Sequence, residues 1–273
     1  KRFPKHTRSI VLDGVVPNSL VLGAEHAVNL EDALNLHFAR CTADKICKER
    51  FGNPRQKLDA LRAQLRVAPM TVNYNDPMSG EPKQDKLNLA ALASVARMYS
   101  YSPMTASMLP LVLTQAAQGN GAPLMAQAQM MDQTMNEAIM HGMQLSVICS
   151  EDAAELKEDP ATANTLIGNS MISFLKAQCE AWPQSKRAAD FREPLKGNVP
   201  VLLLSGEFDP VTPPRYGDAV AKFLPNGRHV VVKGQGHNVM PVGCAPKIFA
   251  RFIDSANAKT LDVKCLDSLA YVP

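Results

Sequence analysis

The chain has 273 residues, 46% hydrophobic content and a formal net charge of +3. That length holds one large domain or two small ones. Lysines and arginines are scattered without a run of five or six like charges, which excludes a nucleic-acid stripe and a polybasic membrane patch. No apolar stretch approaches the roughly 18 residues of a membrane span.

In chain order, Lys1-Arg2-Phe3-Pro4 reads as the polar end of a helix and not as a natural amino terminus. It implies a chain cut from a longer one. Ser9-Ile10-Val11-Leu12 reads as a buried strand closed by Asp13-Gly14. From residue 18 to 197 the pattern is mostly helical. Leu30, Ala33, Leu34, His37 and Cys41 follow the i, i+3, i+4, i+7 rule. Leu58, Leu61 and Leu65 repeat it after Pro54, and Leu89, Leu92, Ala96 and Tyr99 form another face. Helices are predicted from about Pro103 and about Pro123, parted by a turn at Asn120-Gly121. A last one begins with Leu166, Ser170 and Phe174 on one face. Ten of the 13 methionines lie between Met98 and Met171, suiting either an adaptable apolar cleft or ordinary helix packing.

The final stretch is the most regular. Val199-Pro200-Val201-Leu202-Leu203-Leu204 is a continuous apolar run, as in a strand covered on both faces. Residues 215–224 are helix-like, and His229-Val230-Val231-Val232 is a second β-branched run. Residues 245–258 are helical, with Ile248, Phe249, Phe252 and Ile253 placed on one face. This strand–helix–strand–helix order implies a parallel sheet.

Six cysteines occur, with no C-x-x-C pair to suggest a zinc ribbon or redox motif. Sequence neighbourhood favours Cys41–Cys47, Cys149–Cys179 and Cys244–Cys265, which would place the protein outside the cell or in a periplasm. Buried cytosolic thiols are the alternative.

In an open parallel sheet, functional groups gather past the carboxyl ends of the strands. Two loops qualify: Ser205-Gly206-Glu207-Phe208-Asp209-Pro210-Val211-Thr212-Pro213-Pro214 and Lys233-Gly234-Gln235-Gly236-His237-Asn238. Asp209 and His237 thus follow successive strands. A carboxylate there can accept the imidazole Nδ1 hydrogen and fix its tautomer.

Arg8-Ser9-Ile10-Val11-Leu12-Asp13-Gly14-Val15-Val16-Pro17, Gly206-Glu207-Phe208-Asp209-Pro210-Val211-Thr212-Pro213, Gly234-Gln235-Gly236-His237 and the cysteine spacing together resemble the α/β-hydrolase superfamily. The closest likeness is to its tripeptidyl-aminopeptidase-like branch, related to prolyl aminopeptidases. The resemblance implies an α/β fold: the C-terminal part of a hydrolase sheet, about three parallel strands with flanking helices, plus a mostly helical cap domain. Residues 1–17 and 198–273 would form the partial core, and 18–197 the cap. Asp209 and His237 correspond to the family's triad acid and base. Asp13, which ends a strand, is the other candidate acid, and Asp209 is favoured because its loop matches the family pattern.

The departure from the family is the nucleophile. No G-x-S-x-G occurs; Gly168-Asn169-Ser170-Met171-Ile172 lacks the second glycine, and Ser205 shares the acid's loop. The resemblance therefore places the serine upstream of Lys1, with the early strands. The partners expected are that missing N-terminal half and a peptide with a free amino terminus. Glu151 and Asp152 are candidates to bind its ammonium group, or else form a solvated helix turn. His6, His26, His37, His141 and His229 lack ligand spacing and read as surface or core residues, and Trp182 as packing beside a disulfide. No metal or organic cofactor is implied.

The expected function is a secreted or periplasmic serine aminopeptidase, with the 273-residue chain alone inactive. An esterase with the same triad, a dead relative and a non-catalytic binding module are the alternatives.

Overall fold

The computed structural model describes residues 1–269 and Tyr271. It opens with strand β1 (Ile10–Asp13). A run of helices follows: α1 (His26–Ala43), α2 (Lys45–Phe51) and α3 (Pro54–Val67). Strands β2 (Met70–Asn75) and β3 (Pro82–Leu87) come next, then α4 (Leu89–Tyr99), α5 (Pro103–Ala106), α6 (Leu109–Ala117), α7 (Ala122–Ala138), α8 (His141–Glu151) and α9 (Ser170–Ala181). The chain then alternates through β4 (Val201–Gly206), α10 (Pro214–Ala221), β5 (Gly227–Val232) and α11 (Ala245–Ser255).

Two compact units result. One holds Lys1–Val21 and the described residues from Arg187 on; the other is Leu22–Lys186. Both boundaries thus lie inside the stretch 18–197 read from the sequence as the cap, so the sheet unit takes a few more residues at each end. Polar contacts explain the shift. Arg192 donates to the carbonyls of Asn18 at 3.2 Å and Leu20 at 2.7 Å, and Asn18 Nδ2 donates to Phe191 O at 3.2 Å. Asp190 pairs with Lys1 and Arg2.

In the first unit the strands pair in parallel in the order β1-β4-β5. The class is α/β, as the sequence predicts. Every residue of β4 is buried. Side chains alternate across a strand, so a strand with two buried faces must be apolar throughout. Leu202 and Leu204 join Val230, Val232, Ile248 and Phe252 on one side. Val201 and Leu203 join Leu224, with Ile10, Leu12 and Val220 packed against them, on the other. Helix α11 buries Ile248 and Phe252, while Phe249 and Ile253 are each 37% exposed. The predicted four-residue face is therefore only half engaged. The Cys244–Cys265 disulfide ties the start of α11 to the segment near the chain's end.

The second unit is helical apart from one hairpin. Prolines stand in the first turns of α3, α5, α6 and α7, where a missing N–H costs nothing. Asp44, Asn53 and Asn88 cap α2, α3 and α4 through their side-chain oxygens. The core gathers Leu30, Leu34, Phe38, Leu58, Leu61, Leu65, Leu92, Tyr99, Leu113 and Leu124, largely the predicted helix faces. The antiparallel pair β2–β3 was not expected in a stretch read as helical. Val72 and Tyr74 of β2 and Leu87 of β3 are buried in the core, and Met70 packs against it. The face expected of the last helix also differs: Phe174 is 62% exposed, and α9 buries Ile172, Leu175 and Cys179. Of the clustered methionines, Met125 is in the core, whereas Met104, Met108, Met140 and Met143 are exposed. Disulfides join α1 to α2 (Cys41–Cys47) and α8 to α9 (Cys149–Cys179), completing the three pairings favoured from the sequence. No helix among the described residues is long and apolar enough to cross a membrane.

Phe252 has no exposed surface at the centre of the α11 contact with the sheet. Phe252→Ala is expected to lower the stability of the sheet unit by about 4 kcal/mol, through lost burial and the cavity left behind. Chemical denaturation followed by circular dichroism measures the change.

Candidate active site

Parallel pairing brings the ends of all three strands to one edge of the sheet. The register sets Asp13 beside Leu204 and Gly206 beside Val232. The loop after β4 carries Asp209, and the loop after β5 carries His237. Gly206 is required at the junction, because a Cβ there would lie 1.9 Å from the carbonyl oxygen of Gly236. The histidine loop crosses that close to the end of β4. Gly14 has φ +70°, and a Cβ on it would meet Thr212 Oγ1 at 2.8 Å and His237 Cε1 at 3.1 Å. The strand ends therefore approach the imidazole as bare backbone.

Asp209 is 3% exposed. Its Oδ1 accepts from the backbone N–H of Val211 and of Thr212, both at 2.8 Å. Its Oδ2 accepts from Thr212 Oγ1 at 2.8 Å and faces His237 Nδ1 at 2.9 Å. Burial alone would push the Asp209 carboxyl up; the hydrogen bond and charge of His237, with the Thr212 and Val211 amides, outweigh it and hold the group below its ordinary 3.8. An ionised Asp209 only accepts, so the hydrogen between it and His237 sits on Nδ1. Thr212 Oγ1 lies 3.2 Å from the same nitrogen and can share that hydrogen. This tautomer leaves Nε2 as the basic nitrogen of the ring. The acid side chain is 1% exposed and the histidine side chain 20%, so the pair is sheltered at one end and open at the other.

Asp13 does not take the acid's place. Its Oδ1 accepts from Val239 N at 3.1 Å and its Oδ2 from Met240 N at 2.8 Å. Glu207 Oε2 accepts from Gly234 N and from Tyr271 Oη, each at 2.8 Å, and the Tyr271 ring lies 5.7 Å from that of Phe208. Thr212, Glu207 and Tyr271 were given no role from the sequence. For Thr212 a signal existed: a threonine three residues after an aspartate in a turn is placed to bond it.

A second Ser–His–Asp chain lies nearby. Ser205 Oγ is 2.9 Å from His229 Nε2, and His229 Nδ1 is 2.8 Å from Asp218 Oδ1. Its burial is the reverse of a catalytic arrangement. Ser205 is 1% exposed, while the Asp218 side chain is 67% exposed. No substrate reaches that hydroxyl; the imidazole bolts α10 to the sheet.

Glu151 and Asp152 belong to the helical unit. Glu151 ends α8, and Asp152 is its C-terminal cap, with N–H donating to Ile148 O at 2.8 Å. Asp152 is 6% exposed, so the solvated-turn alternative does not describe it. Ser170 opens α9 in the same unit and occupies no strand-to-helix elbow. His37 is half-buried there, and desolvation depresses its imidazole to about 4 against an opposing hydrogen bond to the Ser100 backbone. No cluster of three or more histidine, cysteine or carboxylate groups among the described residues could hold a metal ion.

Residues 163–265 match the family described as TAP-like protein, an α/β-hydrolase family, and this span contains both Asp209 and His237. The match agrees with the resemblance carried by the sequence motifs. No curated protein matches the chain.

The depressed Asp209 carboxyl links the site to pH. A group whose pKa falls on folding stabilises the native state above its unfolded value, and that contribution is lost as pH drops through the folded one. Wild type is expected to lose stability below about pH 4 more steeply than Asp209→Asn, which cannot titrate. Urea midpoints measured between neutral pH and pH 3 on both proteins test this.

Proposed function

We propose that this chain is the acid-and-histidine portion of a secreted serine aminopeptidase, whose nucleophilic serine lies in sequence upstream of Lys1. The observation that carries the reading is the 2.9 Å contact between a buried Asp209 and a partly open His237, on successive loops of a parallel sheet. Both lie inside the TAP-like match. The order serine, acid, histidine is the one α/β-hydrolases use. In this scheme His237 Nε2 takes the serine proton as the hydroxyl attacks the peptide carbonyl, then returns it to the leaving amine. Asp209 keeps the imidazole in the required tautomer and stabilises the imidazolium between those steps. Three disulfides support an oxidising compartment, outside the cell or in a periplasm.

Assay of the full-length protein decides the class. Release of an amine from peptidyl or aminoacyl amides with a free amino terminus is expected. His237→Ala and Asp209→Asn should each lower kcat by about 10³- to 10⁴-fold. Cleavage of p-nitrophenyl butyrate without amide cleavage would make the protein an esterase. Absence of both activities, or of an upstream G-x-S-x-G, would leave a non-catalytic module.

A peptidase reading amino termini also needs an anion for the substrate's ammonium group. Glu151 and Asp152 are our candidates. Replacing the one that serves with its amide should raise KM about tenfold or more for free-amino substrates. KM for amino-blocked esters should stay unchanged. Steady-state kinetics on matched substrate pairs makes the comparison.

A further inference from the structure

We infer that Asp13 and Glu207 are positioning residues for His237, two carboxylates that grip its loop from opposite ends. The inference rests on His237 being the general base proposed above.

The histidine loop leaves β5 at Val232 and returns to helix at α11. Between them the backbone is irregular, and Asn238 has φ +65°. Such a segment has no ladder to bond its amides, so each buried N–H needs a partner from elsewhere. Two carboxylates supply several. Three residues before His237, Gly234 N donates to Glu207 Oε2 at 2.8 Å. Two and three residues after it, Val239 N and Met240 N donate to the two oxygens of Asp13 at 3.1 and 2.8 Å. Val239 has no exposed surface, so its amide has no water to turn to if Asp13 is removed. Carboxylate–amide bonds are charge-assisted and stronger than neutral ones.

The supports are themselves anchored. Asp13 ends β1, whose ladder with β4 fixes its position. Glu207 follows β4 directly; its amide donates to Val232 O at 3.1 Å, and its Oε2 also accepts from Tyr271 Oη. Phe208 N donates to Gln235 O at 2.8 Å, joining the two loops once more. The imidazole thus stands on a span fastened to β1 at one side and to the acid loop at the other. Neither carboxylate carries the reacting proton. Each sets where the ring is, and a misplacement of about 1 Å at a catalytic group can cost about 100-fold in rate.

The test separates positioning from chemistry. In the full-length enzyme, Asp13→Ala is expected to lower kcat about 10- to 100-fold, with KM changed less than about threefold. Asp13→Asn keeps one acceptor oxygen and should recover much of that loss; Glu207→Gln should do the same relative to Glu207→Ala. Backbone hydrogen exchange at Val239 and Met240 should accelerate in Asp13→Ala, and at Gly234 in Glu207→Ala. The low-field Nδ1 proton of His237, seen by NMR, should shift yet persist in every one of these variants and vanish in Asp209→Asn. Unchanged exchange and an unchanged His237 resonance in Asp13→Ala would overturn the inference. So would an Asp13→Asn variant as impaired as Asp13→Ala with the low-field proton gone, which would make Asp13 the acid. Should Asp13→Ala fail to fold, Asp13→Asn and the Glu207 pair carry the test. The exchange and NMR readouts need no turnover, so a wild type inactive on every substrate would defeat the peptidase reading and still leave the grip on the loop decided.

Discussion

Strand β4 is buried along its whole length, so its backbone groups need partners within the protein, and the neighbouring strands supply them. β1 lies on one side and β5 on the other, both parallel. The rest of the sheet unit depends on that ladder. Side chains of β4 alternate between two cores, so a slip of one residue would exchange Val201 and Leu203 with Leu202 and Leu204 and mismatch the packing of both. With the register held, Asp13, Gly206 and Val232 come to the same edge, and the loops beyond them meet. Distances of 2.8–3.1 Å between residues more than 200 positions apart follow from this pairing.

At that edge a charge is taken out of water. Burying a carboxylate is costly unless each oxygen is bonded. Asp209 meets the condition with two amides, a hydroxyl and an imidazole, and its carboxyl stays ionised. The Ser205–His229–Asp218 chain shows why the residue types alone are insufficient. It has the same three side chains at comparable distances, yet the hydroxyl is sealed in β4 and the acid faces solvent. The two differ in which end is desolvated: the acid in the Asp209–His237 pair, the hydroxyl in the other.

The helical unit is stabilised separately. Its core draws on α1, α3, α4, α6 and α7 with one face of the hairpin, and its two disulfides join helices adjacent in the chain order. Cross-links spanning only 6 and 30 residues, like the third spanning 21, constrain local neighbours within a unit. Each unit can therefore be held together without reference to the other's packing.

Strands β4 and β5 and helix α11 were readable because a doubly covered strand and an amphipathic helix each write their burial into a local period. The Asp209–His237 contact was foreseeable for a related reason: both residues follow strands whose own pattern announces where they end. The β2–β3 hairpin escaped because β3 is exposed in all but its last residue and only alternate residues of β2 reach the core, too short a signal against its helical surroundings. Phe249, Ile253 and Phe174 carry a helical period but remain partly or largely exposed, since periodicity marks a face without saying what covers it. Local residue patterns thus mark Asp209 and His237 as acid and base candidates and show roughly where β4 and β5 run. It takes the folded sheet to put Asp209, and not Asp13, against the imidazole and to bring Asp13 and Glu207 to the loop that carries it. Those assignments depend on strand register and on loops touching across the sheet edge, and no local pattern of residues encodes a distance between positions 13 and 239.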